Sequence, residues 1–125
     1  MKTYLINRLI TQAEHNGITV AWHKGGPKAA WMPATNTISI REGMDDAQTL
    51  CAFAHEMGHF HHGDTHGTDT IQEARADRFA ARLLIDPREY ARCEQEYGAH
   101  PALLGRELGV TAHLVLVFQS LPINA

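Results

Sequence analysis

Two short segments of the chain carry the residues that could do chemistry. Residues 55–59 read His-Glu-Met-Gly-His, and residues 73–77 read Glu-Ala-Arg-Ala-Asp. Side chains four apart lie on one face of an α-helix, so His55 and His59 can direct neutral imidazole nitrogens at one metal ion. Glu56 lies beside that face and can take a proton from water next to the ion. The spacing therefore predicts a metal site that hydrolyses a peptide bond.

A catalytic zinc site needs a third protein ligand, and Glu73 is the residue that we expect in that role. Asp77, one helical turn later, can accept a hydrogen bond from the second nitrogen of His55 or His59 and so orient the ring. The alternative is that residues 73–78 form a charged face in solvent. Other residues in or near the intervening loop could replace Glu73 as the ligand: Asp64, Asp69, His61, His62 and His66.

The spacing of the two motifs does not identify a group that would help the ion to stabilise a developing oxyanion. His62 and His66 are candidates for that contact or for a contact with substrate, although a loop histidine more often lies in solvent. The chain has nine histidines, five of them from His55 to His66, so a chance match to the motif is a real alternative.

Composition limits the other classes of function. The chain has 125 residues, of which 44% are hydrophobic, and this suits a single domain over residues 1–125. A formal charge of -3 argues against a direct nucleic-acid partner. No segment approaches the roughly twenty apolar residues that span a bilayer, and the N-terminus lacks a secretory signal. Cys51 and Cys93 form no Cys-x-x-Cys pair, so we expect reduced thiols in a cytoplasmic protein without a membrane partner.

The elements that must position the two motifs follow from the spacing of apolar residues. Residues 5–13 predict a helix, and alternation predicts three strands at 18–22, 29–32 and 37–41. Asp45 is a good N-cap for a helix that carries the first motif to about Phe60. After a loop to Asp69, helices are predicted at 70–84 or 85, 87–97, 101–108 and 112–121.

This order indicates an α+β fold, because three strands and their helices come first and only helices follow. Residues 1–60 then hold a helix, the sheet and the first motif, whereas residues 61–125 hold the third ligand and the C-terminal helices. We expect the strand at 37–41, which precedes the first motif, to pair with an extended substrate. Gly58 is expected to leave space beside the ion.

Two features have a structural and a functional interpretation. Cys51 lies one turn before His55 and could reach the ion, but cysteine is also a common small buried residue, which we favour. Residues 103–115 have the rhythm of a helix-turn-helix, in which the second helix of a DNA reader needs basic or amide side chains. That helix offers leucine, valine and phenylalanine instead, so we expect it to pack in the core.

Residues 50–87 carry a family resemblance. The run from Cys51 to His62, followed by Glu-Ala-Arg-Ala-Asp-Arg-Phe-Ala-Ala-Arg-Leu-Leu-Ile-Asp-Pro at 73–87, resembles the ImmA/IrrE family of metallopeptidases. The likeness extends over residues 1–120 and is strongest in these two blocks. One departure is Asp86 before Pro87, where the family often has an apolar residue; this concerns the start of a helix and not the chemistry.

The resemblance implies a gluzincin-like fold with a small three-stranded sheet and zincin-like active-site helices. It assigns the zinc-ligand role to His55, His59 and Glu73 and the base role to Glu56. It also implies the substrate, a helix-turn-helix repressor that is cleaved to relieve repression in a phage, a mobile element or a stress response. The alternative is a zinc-containing module that binds such a repressor without cutting it. Zinc is the expected ion, although such a site would also take manganese or cobalt in vitro.

Overall fold

The computed structural model describes residues 3–65 and 69–122, and these residues form six α-helices and one three-stranded sheet. This is the α+β class that the sequence predicts. In chain order the elements are α1 (Thr3–His15), β1 (Thr19–His23), β2 (Ala29–Met32), a short 3-10 helix (Pro33–Thr35), β3 (Thr37–Arg41), α2 (Asp46–His61), α3 (Thr70–Leu84), α4 (Pro87–Tyr97), α5 (Pro101–Leu108) and α6 (Ala112–Gln119).

Side-chain caps start the two helices that carry the motifs. Asp45 accepts a hydrogen bond of 2.8 Å from the backbone N–H of Gln48 at the start of α2. Asp69 accepts from the N–H groups of Ile71 and Gln72 at the start of α3. These bonds satisfy N–H groups that have no partner within the helix. The predicted starts of α2 and α3 are therefore confirmed, and the predicted ends differ from the observed ones by about one residue.

The sheet has the strand order β1-β3-β2, so β3 lies in the centre. It pairs in parallel with β1 and antiparallel with β2. Ile38 and Ile40 of β3 are fully buried, as the alternation in that strand predicted. The expectation that this strand pairs with an extended substrate is wrong, because both of its edges are already occupied. Of the two edge strands, β2 is the one that packs against α2, the helix that carries the first motif.

Helix α2 packs against the sheet and against α3. Its buried residues include Leu50, Phe53 and Met57. Gly58 packs against α3, which fills the space that was expected beside this residue: a Cβ atom at this position would lie 3.0 Å from the Cα atom of Ala76. The missing side chain therefore allows α2 and α3 to approach closely, which brings the two motifs together.

The C-terminal helices α5 and α6 meet at an angle of 106°. The Thr111 side chain caps α6 by accepting a hydrogen bond from the N–H of Leu114. Leu114 and Val115 are buried in the core, as expected for a helix that packs rather than reads DNA. No single helix within residues 3–65 and 69–122 has the length and apolar character to cross a membrane, although the bent pair α5–α6 meets both criteria when its two helices are counted together.

Candidate metal centre

Three side chains from α2 and α3 converge on one point. The potential ligand atoms of His55, His59 and Glu73 all lie within 4.8 Å of one another. Nε2 of His55 lies 3.3 Å from Oε1 of Glu73, and Nε2 of His59 contacts Oε2 of the same carboxylate. The close packing of α2 on α3 thus brings together the three residues that the sequence singled out as ligands.

Asp77 orients the first imidazole. Nδ1 of His55 donates a hydrogen bond of 2.8 Å to Oδ1 of Asp77, so that Nε2 of this ring faces the convergence point. Burial raises the pKa of Asp77, but its hydrogen bonds to His55 and His113 outweigh this effect, and the pKa falls below its ordinary value. An ionised carboxylate can only accept hydrogen bonds, and this fixes the proton of His55 on Nδ1.

A different carboxylate orients the second imidazole. Nδ1 of His59 donates a hydrogen bond of 2.9 Å to Oδ2 of Asp64, and both side chains are only 4% exposed. Arg75 donates to Oδ1 of Asp64 at 2.5 Å, and the indole N–H of Trp31 donates to the backbone oxygen of Asp64. Burial raises the pKa of Asp64, but the bonds from His59 and Arg75 lower it below its ordinary value. Asp64, which the sequence offered only as a substitute ligand, contacts the nitrogen of His59 that points away from Glu73.

His113 is a neighbour of the site that the sequence did not predict. Its Nε2 lies 3.0 Å from Oδ2 of Asp77, so one carboxylate links a ligand candidate on α2 to the exposed face of α6. The two partners are 36 residues apart in the chain. No local pattern connects residues so distant, and only the packing of α6 against α3 reveals the contact.

The Glu56 carboxylate lies between the histidines and strand β2. It lines a cavity of about 170 Å³ together with residues of β2 and the two residues His59 and Glu73. Burial raises the pKa of Glu56, the charges of His55 and His59 lower it, and the balance leaves the pKa above its ordinary value. A carboxylate with a raised pKa is suited to accept a proton and return it near neutral pH.

A second cavity, of about 390 Å³, lies on the other side of Glu56. Its walls include Ala29 of β2, Cys51 of α2 and Leu114 of α6, so α6 closes one side of the cleft. Ala29 and Glu56 line both cavities, and β2 therefore borders the cleft on either side of the carboxylate. Cys51 is buried, and burial raises the pKa of its thiol, which agrees with the structural role expected for it.

The free edge of β2 faces this cleft. The N–H of Arg41 on β3 donates to the carbonyl oxygen of Lys28 at 2.8 Å, and in an antiparallel pair such bonded positions alternate along the strand. Ala30 therefore directs its backbone groups at β3, whereas Ala29 and Trp31 direct theirs away from it. The backbone N–H of Trp31 indeed forms a hydrogen bond to Glu56.

Three of the sequence-based candidates, His61, His62 and Asp69, lie away from the point where His55, His59 and Glu73 converge. His62 lies in a groove where its ring and that of His61 meet the ring of Phe79. His66, the other candidate for an oxyanion or substrate contact, lies outside the described residues. Asp69 caps α3 and is exposed, so it does not replace Glu73 among the converging side chains.

The converging residues fit a divalent metal ion. Oε2 of Glu73 is buried and accepts no hydrogen bond from any residue in the described part of the chain, although it faces Nε2 of His59. A cation at this point would satisfy that oxygen and both imidazole nitrogens. Two imidazoles and one carboxylate are the donor set of catalytic zinc sites that keep one position open for reaction.

Comparison with known proteins gives a family match. A family model described as Peptidase M78, IrrE N-terminal-like domain, matches residues 13–118. The matched range contains β1 to α5, most of α6 and every converging residue described above. No curated protein was found to match the chain.

Proposed function

The chain belongs to the M78 peptidase family of IrrE N-terminal-like domains, and from this premise we propose that it is a zinc-dependent endopeptidase. In this proposal His55, His59 and Glu73 hold the ion. The observation that carries it is their convergence beside Glu56, with each histidine oriented by a separate carboxylate. An ion with a purely structural role would need neither a base nor the edge of a strand next to it.

The chain's own residues account for the proton transfers of peptide hydrolysis. Zinc, when bound, would supply a Lewis acid that acidifies water and polarises the scissile carbonyl group. Glu56, with its raised pKa, takes a proton from the attacking water and delivers it to the nitrogen of the leaving amine. Asp64 and Asp77 keep the imidazole protons on Nδ1, and both Nε2 atoms stay available to the ion.

The edge of β2 offers a way to hold an extended polypeptide. The backbone N–H and carbonyl groups of Ala29 and the carbonyl group of Trp31 face the cleft, whereas the N–H of Trp31 is bonded to Glu56. A substrate segment can pair with the remaining groups as an added strand. Such a segment would pass Glu56, with cavities on both sides of the carboxylate for its side chains. In this proposal β2 provides the strand pairing that the sequence had suggested for β3.

We propose a helix-turn-helix transcriptional repressor as the substrate, cleaved in the cytoplasm to relieve repression in a phage, a mobile element or a stress response. The support for this finer assignment is the family resemblance described above. The two cysteines, Cys51 and Cys93, are both free, which is compatible with a reducing compartment.

The substrate class is tested with a purified helix-turn-helix repressor, taken from a gene next to that of this protein where such a gene is present. The purified repressor is incubated with zinc-loaded wild type or with the Glu56→Gln variant, and the fragments are identified by mass spectrometry. We expect one or a few defined cuts by the wild type and none by the variant. Stable binding of the intact repressor by both proteins would contradict the proposal and would support a module that binds without cutting.

A further inference from the structure

A groove outside the metal cleft, called the cationic groove below, runs along α3. It is lined by the two histidines at the end of α2, by three arginines of α3 and by the side chains of Phe79 and Leu83. Its volume is about 530 Å³. The three arginines, Arg75, Arg78 and Arg82, lie three and four residues apart and therefore share one face of the helix.

The positive charge of the cationic groove is only partly neutralised. No acidic residue of the described part of the chain lines it, and Arg75, at the end of the groove nearest the N-terminus of α3, is paired with Asp64. Neither Arg78 nor Arg82 has a carboxylate within 4.0 Å in residues 3–65 and 69–122. Like charges one helical turn apart repel each other. In the described part of the chain no carboxylate offsets this repulsion between Arg78 and Arg82.

The floor between these charges is apolar and aromatic. The ring of His61 lies over the ring of Phe79 with 4.9 Å between centroids, and the ring of His62 meets Phe79 edge-on at 6.2 Å. Leu83 is 38% exposed at the end of the groove. The surface thus combines fixed cations with a floor that can receive an apolar side chain.

We propose that the cationic groove binds an acidic segment of a partner protein, with the carboxylates of the segment on Arg78 and Arg82 and an apolar side chain on Phe79. From Arg75 to Leu83 the helix extends about 12 Å, since each residue advances 1.5 Å. This length accommodates about four residues of extended chain. The inference does not require the peptidase function, because it concerns binding outside the metal cleft.

Charge on the rest of the molecule favours an acidic peptide over a nucleic acid. The chain carries a formal charge of -3, and because the three arginines contribute +3, all other residues together carry -6. A nucleic acid is a long polyanion that would extend past the groove, and the net negative charge of the remaining residues disfavours such binding. A short acidic segment can instead end within it.

Fluorescence anisotropy with a labelled peptide tests the inference. The probe is fluorescein-Glu-Leu-Glu-Asp-Leu-Glu, titrated with the full zinc-loaded chain at low salt. We expect the double variant Arg78→Glu, Arg82→Glu to bind it at least about tenfold more weakly, because two attractions become repulsions. The matched control is Arg88→Glu, Arg92→Glu, which makes the same charge change at the same spacing on α4. The control should weaken binding by less than about threefold.

Further measurements distinguish peptide binding in the groove from an effect of net charge and from nucleic-acid binding. Equal losses in the two double variants would show that net charge alone governs binding, which would overturn the proposal. Tighter binding of a single-stranded oligonucleotide with six phosphates, lost in the groove variant, would also overturn it. If the Arg78→Glu, Arg82→Glu variant does not fold, Arg78→Gln, Arg82→Gln takes its place, with an expected loss of affinity of about threefold or more.

A change in the probe tests the apolar floor. Replacing both leucines of the probe by serine should weaken binding as well, and an unchanged Kd would contradict a role of the apolar floor.

Discussion

At the residue scale, the two histidines of the first motif differ in how they are held. His55 is oriented by Asp77, which is partly exposed, whereas His59 is oriented by Asp64, which is buried and also bound by Arg75. The spacing of the first motif was sufficient to predict His55, Glu56 and His59 as a group, whereas Glu73 was one of several possible third ligands and was favoured also by the family resemblance. Asp64 could not be assigned to His59 in the same way, because the turn after α2, and not a helical repeat, places it there.

The carboxylates behind the histidines should control metal affinity. We expect Asp64→Asn and Asp77→Asn each to weaken zinc binding by about 10- to 100-fold, because each substitution removes the charge that orients and enriches a ligand ring. Competition with a chromophoric chelator measures this change. Asp69→Asn is the matched control, since asparagine also caps a helix and Asp69 is not at the centre. Unchanged zinc affinity in both variants would contradict this account of the site.

At the element scale, helices were easier to predict than the sheet. Caps such as Asp45 and Asp69 and the spacing of apolar residues are local signals. They were sufficient to predict the bounds of the helices to within about two residues. The order of strands depends instead on pairing between segments that are distant in the chain. The alternation in β3 is the same for a central and for an edge strand, which is why the sequence could not assign substrate pairing to β2.

The close contact of α2 with α3 predicts a stability effect at Gly58. Alanine is ordinarily favoured over glycine within a helix, by up to about 1 kcal/mol. At this position a Cβ atom would meet the backbone of Ala76 at 3.0 Å, so we expect Gly58→Ala to destabilise the protein by about 1–3 kcal/mol. Urea unfolding of the metal-free protein measures the difference. A more stable variant would show that the contact between the helices is not as close as described.

The free edge of β2 predicts different effects at two adjacent alanines. Ala29→Pro removes an N–H that faces the cleft, so it should leave the melting temperature nearly unchanged and reduce cleavage of the substrate. Ala30→Pro removes an N–H on the side of β3 and should lower the melting temperature. Thermal unfolding and a cleavage assay on both variants distinguish them. Full cleavage by a folded Ala29→Pro variant would contradict substrate pairing at this edge.

At the scale of the whole molecule, the metal centre joins several parts of the fold. Its residues come from α2 and α3, and Asp77 extends the contacts to α6 through His113. The family match over residues 13–118 likewise includes most of this framework. The ligands of the ion come together only when these elements are folded, so the ion binds the folded chain and not the unfolded one. Its binding free energy therefore adds to the stability of the fold.

Metal removal should therefore lower the stability of the entire domain. At a free zinc concentration of 100 times Kd, the expected gain is about 2.7 kcal/mol, which a chelator should reverse. Differential scanning calorimetry with and without zinc measures this as a change in melting temperature. The variant His59→Ala should show no zinc-dependent change. An equal response of wild type and variant would place the ion elsewhere.

The central claim is that Glu56 acts as the base beside an ion held by His55, His59 and Glu73. The most direct measurement compares the rate of substrate cleavage by wild type and Glu56→Gln, together with the zinc content of each protein by native mass spectrometry. We predict that both hold one zinc ion and that the variant is slower by roughly 100- to 10,000-fold. A variant that retains zinc and cleaves at nearly the wild-type rate would contradict the account.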